Sequence, residues 1–83
     1  MVVRLKLYAL LGKYLPAGAE NNEVDLELAD GATPDAAMAA IPMPPELAHL
    51  VLVNGIYVAP SERGSLVLKD GDALAMWPPV AGG

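Results

Sequence analysis

The stretch Asp70-Gly71-Asp72-Ala73-Leu74-Ala75-Met76-Trp77 reads as a tight turn feeding five apolar residues, which run directly into Pro78-Pro79-Val80-Ala81-Gly82-Gly83. Five consecutive apolar residues bounded by a turn and a Pro-Pro pair describe a last apolar strand. The rest of the chain is read by asking what can flank it.

The opening of the chain supplies one neighbour. From Val2 to Tyr8 the pattern alternates, with Val3, Leu5 and Leu7 on one face and Arg4, Lys6 and Tyr8 on the other. That is a half-buried strand. After a loop over Gly12 to Asn22 the alternation returns, with Val24, Leu26 and Leu28 set to face the core and Asp25 and Glu27 to face water. Paired as a hairpin, these two strands bring the basic outer face of the first beside the acidic outer face of the second. Each such pair is worth about 0.2–1 kcal/mol, less when exposed, so the charges set register more than they supply stability.

Asp30-Gly31 ends the second strand, and Thr33 then stands where a helix N-cap would, with Pro34 at the first position and Asp35 in the first turn. A short side-chain acceptor, a preset φ and a negative charge near the helix N-terminus all favour a helix start there. Ala36 to Ile41 continue it, and Pro42, Pro44 and Pro45 stop it after about two turns. Glu46 to His49 has room for one more turn. Leu50-Val51-Leu52-Val53, then Asn54-Gly55, then Ile56-Tyr57-Val58 is a two-residue β-hairpin, because Asn-Gly accepts the positive φ angles its turn requires. Ala59 to Gly64 reads as a polar surface loop, and Ser65 to Lys69 as either a short strand or an irregular connector. The order strand, strand, helix, strand, short strand, strand suits an α+β layer, with one mixed sheet packed on one short helix. Placing the apolar first and last strands side by side as parallel central strands buries both. That arrangement is the β-grasp fold, expected here over residues 1–77, with a flexible C-terminal tail over residues 78–83.

Composition narrows the chemistry. The 83 residues allow one small core, and 54% of them are hydrophobic. With no cysteine in the sequence, disulfides, thiolate metal sites and cysteine nucleophiles are excluded. A net charge of −5 opposes binding to phosphate backbones, so nucleic acid is not an expected partner. No apolar run is long enough for a membrane span, and the first residues alternate where a signal peptide would be uniformly apolar, so a soluble, cytoplasmic protein is expected. His49 is the only histidine and has no triad or metal-ligand partners in the sequence, which suits a helix end or the surface. Asp70 and Asp72 flank a turn glycine and read as turn formers, and no phosphate-binding loop is present. The chain itself is expected to hold no cofactor and no metal. Tyr8 and Tyr57 suit structural or surface places. Trp77 fits either a sheet-edge core or a partner anchor.

Val53-Asn54-Gly55, Leu68-Lys69-Asp70-Gly71-Asp72 and the ending Trp77-Pro78-Pro79-Val80-Ala81-Gly82-Gly83 resemble the MoaD/ThiS family of ubiquitin-like sulfur carriers. The opening Val3-Arg4-Leu5-Lys6-Leu7-Tyr8-Ala9 and Leu15-Pro16-Ala17-Gly18 are similar to the MoaD type, so the resemblance spans nearly the whole chain. Its most specific element is the Asp-Gly-Asp turn followed one strand later by Pro-Pro-Val-Ala-Gly-Gly. The short helix and the proline-rich Pro42 to Pro45 depart from that pattern. The resemblance implies that the Gly83 carboxylate is adenylated by an activating enzyme that binds ATP, then converted to a thiocarboxylate with sulfur from a desulfurase- or rhodanese-type relay protein. It further implies that Trp77, Pro78, Pro79, Val80, Ala81 and Gly82 contact the partner. Among family members it points to the small subunit of molybdopterin synthase, which delivers sulfur from within a large catalytic subunit during molybdenum cofactor synthesis and is not an enzyme on its own. Carriers for thiamine, cysteine or tRNA thiolation share this ending, and a ubiquitin-like modifier joined to lysines could use the same activated tail.

Physical chemistry agrees with that role for the tail. A C-terminal carboxylate, with a pKa of about 3.5, is ionised at neutral pH and a poor electrophile until it is made a mixed anhydride. Six extended residues after Trp77 span about 20 Å, enough to thread a cleft while the body stays outside. Glycines at 82 and 83 leave the reacting carbonyl uncrowded. Pro78 and Pro79 end the strand, since neither can donate a ladder hydrogen bond, and keep the base of the tail extended.

Overall fold

The computed structural model describes residues 1–79. Five strands form one mixed sheet in the order β2-β1-β5-β3-β4, where β1 is Val2–Leu7, β2 Glu23–Glu27, β3 Leu50–Val53, β4 Ile56–Tyr57 and β5 Ala73–Trp77. The apolar stretch at the end of the chain takes the central place. β5 runs parallel to β1, with Leu5 opposite Leu74 and Leu7 opposite Met76, and antiparallel to β3, with Val51 opposite Met76. Val3, Leu5, Leu7, Val51, Leu74 and Met76 all have no exposed surface, so the inner faces of the three central strands make the floor of the core.

The single α-helix among the described residues, α1 (Pro34–Ala39), closes that core with Pro34, Ala37 and Met38 buried. Its start follows the local chemistry: the Thr33 Oγ1 accepts from the Ala36 N–H at 3.3 Å, Pro34 occupies the first turn, and Asp35 adds negative charge there. Six residues cannot hold a helix in water by propensity, so α1 depends on its contact with the sheet. The proline-rich segment after it runs irregularly to a 3-10 turn at Pro45–Leu47, with Ile41 and Met43 tucked into the core.

The first hairpin has the expected register. Arg4 lies opposite Asp25 and Lys6 opposite Glu23, and the Arg4 Nε stands 3.2 Å from Asp25 Oδ1 and 3.9 Å from Glu23 Oε1. The loop after β1 is more ordered than its sequence suggests. Ala9–Tyr14 forms a 3-10 helix that buries Leu11 completely and leaves Leu10 75% exposed. A 3-10 turn repeats every three residues and leaves no amphipathic α-helical stripe to be read. Ser65 to Lys69 is an irregular connector, not a strand. The polar loop from Ala59 to Gly64 contains a 3-10 turn at Pro60–Glu62 and sends Arg63 inward, to 8% exposure. Among the described residues no helix is long and apolar enough to cross a membrane.

The Asn-Gly hairpin and the Asp-Gly-Asp turn, far apart in sequence, form one network at the lower end of β5. Asn54 and Gly55 take φ of 52° and 82°, the left-handed pair this turn demands. Asn54 Nδ2 donates to Asp72 Oδ1 at 2.9 Å, while its Oδ1 accepts from the Ala73 N–H at 2.9 Å. Asp72 Oδ2 accepts from the Lys69 N–H at 2.8 Å, and Asp70 Oδ1 accepts from the Val2 N–H at 2.7 Å. Both aspartates are therefore turn formers. The Lys69 N–H, and after it the Asn54 amide, hold the Asp72 carboxyl below its ordinary value of 3.8. A lowered folded pKa means the ionised form supports the fold at neutral pH and that support is lost as pH falls from its ordinary value through the folded one. The stability difference between wild type and Asp72→Ala, constant above about pH 5, is expected to narrow as pH falls toward about 3. Urea titrations across that range check it, and a difference independent of pH would remove the ionised Asp72 from the network.

Candidate functional site: the root of the C-terminal segment

β5 delivers the chain to its exit between two neighbours. On one side β1 ends at Leu7, and the Tyr8 N–H donates to the Met76 carbonyl at 3.2 Å. On the other side, the His49 N–H donates to the Trp77 carbonyl at 2.9 Å, one rung beyond the start of β3. The last two carbonyls of the strand are thus held from both sides. Pro78 is buried and Pro79 exposed, so the backbone leaves the body between them.

Trp77 sits partly buried at the end of the central strand. The parallel register that sets Leu7 opposite Met76 places Tyr8 beside Trp77, and the two rings stack with centroids 4.6 Å apart and planes 15° from parallel. The stack lies on the outer face of the sheet, and Trp77 stays only partly buried there. An aromatic pair of this kind adds about 0.5–1.5 kcal/mol beyond its buried area. Half-covered, it offers a flat apolar platform beside the exit. Leu10, the most exposed large apolar side chain among the described residues, belongs to the 3-10 helix that follows Tyr8. Lys13 in the same helix sits over the Tyr14 ring, its ammonium 5.2 Å from the centroid.

Beneath this root lies a residue that sequence reading did not single out. The Arg63 Nη1 donates to the Ala48 carbonyl at 2.8 Å and its Nη2 to the His49 carbonyl at 3.1 Å, holding the segment whose N–H holds Trp77. Nothing in the local sequence announces it, because the two carbonyls arrive from 15 and 14 residues upstream.

Among the described residues no cluster of histidine, aspartate or glutamate could hold a metal ion. His49 is exposed, in keeping with a surface role. Asp70 and Asp72 stand at the opposite end of β5, with Asp72 about 16 Å from Trp77 at the rise of an extended strand. A groove of about 320 Å³, lined in part by Ile56, Val58, Leu66 and Val67, also opens at the hairpin end of the sheet. Of the residues expected to meet a partner, Trp77, Pro78 and Pro79 come together at the exit, while Val80, Ala81, Gly82 and Gly83 lie outside the described residues.

The ThiS family model matches residues 15–83, through the last glycine. The chain belongs to the ThiS family. Solved structures agree with this on the fold, which is the ubiquitin-like β-grasp. The crystal structure of SAMP1 from Haloferax volcanii shares 30% identity over 100% of both chains, with a TM-score of 0.70. The crystal structure of small archaeal modifier protein 1 from the same organism shares 28% identity, covers 95% of this chain and 98% of that one, and has a TM-score of 0.65. The putative molybdopterin converting factor, subunit 1, from Pyrococcus furiosus shares 27% identity over 95% of this chain and 98% of that one, with a TM-score of 0.59. No curated protein matches the chain in sequence. ThiS family membership makes it a small protein of the sulfur-carrier and ubiquitin-like modifier group, and it gives the exit of β5 its interest.

Proposed function

We propose that the chain is a sulfur carrier whose reactive group is the carboxylate of Gly83. The observation that carries this reading is the family match running through Gly83, on a body whose last strand is pinned centrally and releases the chain at Pro79. An activating enzyme supplies the ATP site. The Gly83 carboxylate attacks the α-phosphorus of ATP, pyrophosphate leaves, and the carboxylate becomes an acyl adenylate. A persulfide on a relay protein then attacks the carbonyl carbon and expels AMP. A thiol breaks the resulting S–S bond, forming a disulfide with the relay sulfur and leaving the thiocarboxylate on Gly83.

In this scheme the body contributes geometry and no acid, base or metal. Trp77, stacked on Tyr8, and the buried Pro78 fix where the tail starts. Pro79, Val80, Ala81 and Gly82 carry Gly83 into the partner's cleft, where the two glycines add no side chain beside the reacting carbon. The likeness to the Pyrococcus furiosus factor favours a molybdopterin converting role, with a larger catalytic subunit as the second partner. Intact-mass measurement after incubation with the activating enzyme, ATP and a sulfur source tests the scheme. The expected result is a gain matching one oxygen-to-sulfur exchange at the C-terminus.

A second reading rests on the likeness to the Haloferax volcanii modifier, at 28% identity. In this reading a lysine amine of another protein attacks the same adenylate and expels AMP. Its signature is a ladder of lysine conjugates that disappears when Gly83 is removed, with no free thiocarboxylate accumulating.

A further inference from the structure

We infer that Arg63 is a positioning residue for the C-terminal segment, fixing the direction in which the tail leaves the sheet. Arg63 is the one buried charged side chain among the described residues, at 8% exposure, and no carboxylate lies within ion-pair distance of it there. Burying an unpaired guanidinium is costly, and its Nε has no hydrogen-bond partner. What the charge obtains in return is two successive backbone carbonyls, Ala48 at 2.8 Å and His49 at 3.1 Å, gripped by one rigid planar fork.

Those carbonyls sit in a segment held by the burial of Met43 and Ala48 and by local turn bonds, with no strand pairing before Leu50. Pro42, Pro44 and Pro45 have no N–H to give, and Ala48, with φ −83° and ψ 81°, is in neither helix nor strand geometry. Yet this segment supplies the rung that ends β5, the His49 N–H to the Trp77 carbonyl at 2.9 Å. No N–H of Pro78 or Pro79 can form a rung beyond it. The path of Pro78 and Pro79 therefore depends on where His49 is held, and Arg63 is the side chain that grips its carbonyl, while the His49 N–H also reaches the Leu47 carbonyl at 3.0 Å. The Arg63 backbone carbonyl also accepts from the Asp35 N–H at 2.9 Å, which anchors the fork to the start of α1. One residue thus connects the helix, the segment before β3 and the last rung of β5.

The geometric part of this inference stands without any function for the tail, and only its activity arm rests on the proposed carrier role. The test compares Arg63→Met and Arg63→Lys in the full chain with Leu28→Ala, which removes a buried side chain beside β2, at the far edge of the sheet. In Arg63→Met the His49 amide is expected to exchange about tenfold faster or more, relative to the Leu5 and Val51 amides of the same sample, as a locally released rung should. With an adenylating enzyme that acts on the wild-type chain, Arg63→Met is expected to raise KM for the chain by about three- to tenfold with kcat held within about twofold, because an unaimed tail must be ordered on binding. Arg63→Lys, which keeps one carbonyl contact, is expected to fall between and serves alone if Arg63→Met does not fold. Leu28→Ala should leave KM and the relative His49 exchange unchanged. An unaltered His49 amide in both Arg63 variants, or a KM effect no larger than that of Leu28→Ala, overturns the inference. If the wild-type chain is not adenylated at all, the carrier reading fails while the His49 exchange still decides the role of Arg63.

Discussion

Deleting Gly82 and Gly83 is expected to abolish adenylation of the chain and leave its thermal unfolding unchanged. Two residues of extended backbone carry the carboxylate about 7 Å, and displacing a reacting group by about 1 Å can already cost 100-fold in rate. The truncated chain would end at Ala81, which puts a methyl group beside the carboxylate at a point where the full-length tail has only glycine. Stability is expected to hold because the body closes without those residues: Met76 is fully buried, Pro78 is buried and Pro79 is already exposed. Gly83→Ala separates the two contributions, keeping full reach and adding only the Cβ, so its loss should be smaller than that of the deletion. ATP–pyrophosphate exchange measures the first step and calorimetry the second. A deletion variant still adenylated at the wild-type rate would remove the carboxylate from both the carrier and the modifier readings, and the chain would then be a β-grasp interaction module with an inert ending.

The parts of this molecule that could be read before its structure were those where one residue type is nearly forced. Asn54-Gly55 between apolar runs named a two-residue hairpin, and both residues take the positive φ angles that make the dipeptide special. Thr33-Pro34-Asp35 marked the start of α1, and the alternation of Val3, Leu5 and Leu7 marked the buried face of β1. Contacts that depend on distant segments were not visible in this way. The Tyr8 and Trp77 stack follows from the parallel register of β1 and β5, which no local pattern encodes, so the sequence left Trp77 open between a sheet-edge core and a partner anchor. Arg63 lies in a stretch whose polarity reads as surface, and its burial is set by carbonyls brought from beyond the proline-rich segment. Ala9–Tyr14 escaped for a different reason: it is a 3-10 helix entered through a positive φ of 51° at Ala9, a conformation a non-glycine residue rarely advertises. At the exit, the residue types of the tail suggested the family, which the match over residues 15–83 shows, whereas the way Trp77 and Pro78 are held became visible only once three strands were side by side.

Leu74→Ala is the substitution expected to cost the fold most among those considered, about 3–4 kcal/mol, because it empties a site that cannot collapse. Leu74 has no exposed surface, lies opposite Leu5 on β1 and opposite Val53 on β3, and so belongs to the inner face of the central strand between two neighbours that are themselves fixed in a ladder. A domain of this size has a total stability of about 5–10 kcal/mol, so one such cavity removes a large share of it. For 60–100 residues each kcal/mol shifts the melting temperature by about 4–8 °C, and a fall of about 15–25 °C is expected by circular dichroism. Tyr57→Ala, at a position 56% exposed on the edge strand, is the matched control and should change stability by less than about 1 kcal/mol. The two lesions to activity then differ in kind. Leu74→Ala lowers adenylation only in proportion to the unfolded fraction, so cooling restores it, whereas the tail deletion remains inactive at every temperature in a folded body. A Leu74→Ala protein that melts within a few degrees of wild type would mean that β5 is not the strand on which the sheet is built, and with it would go the argument that the tail is aimed by the centre of the fold.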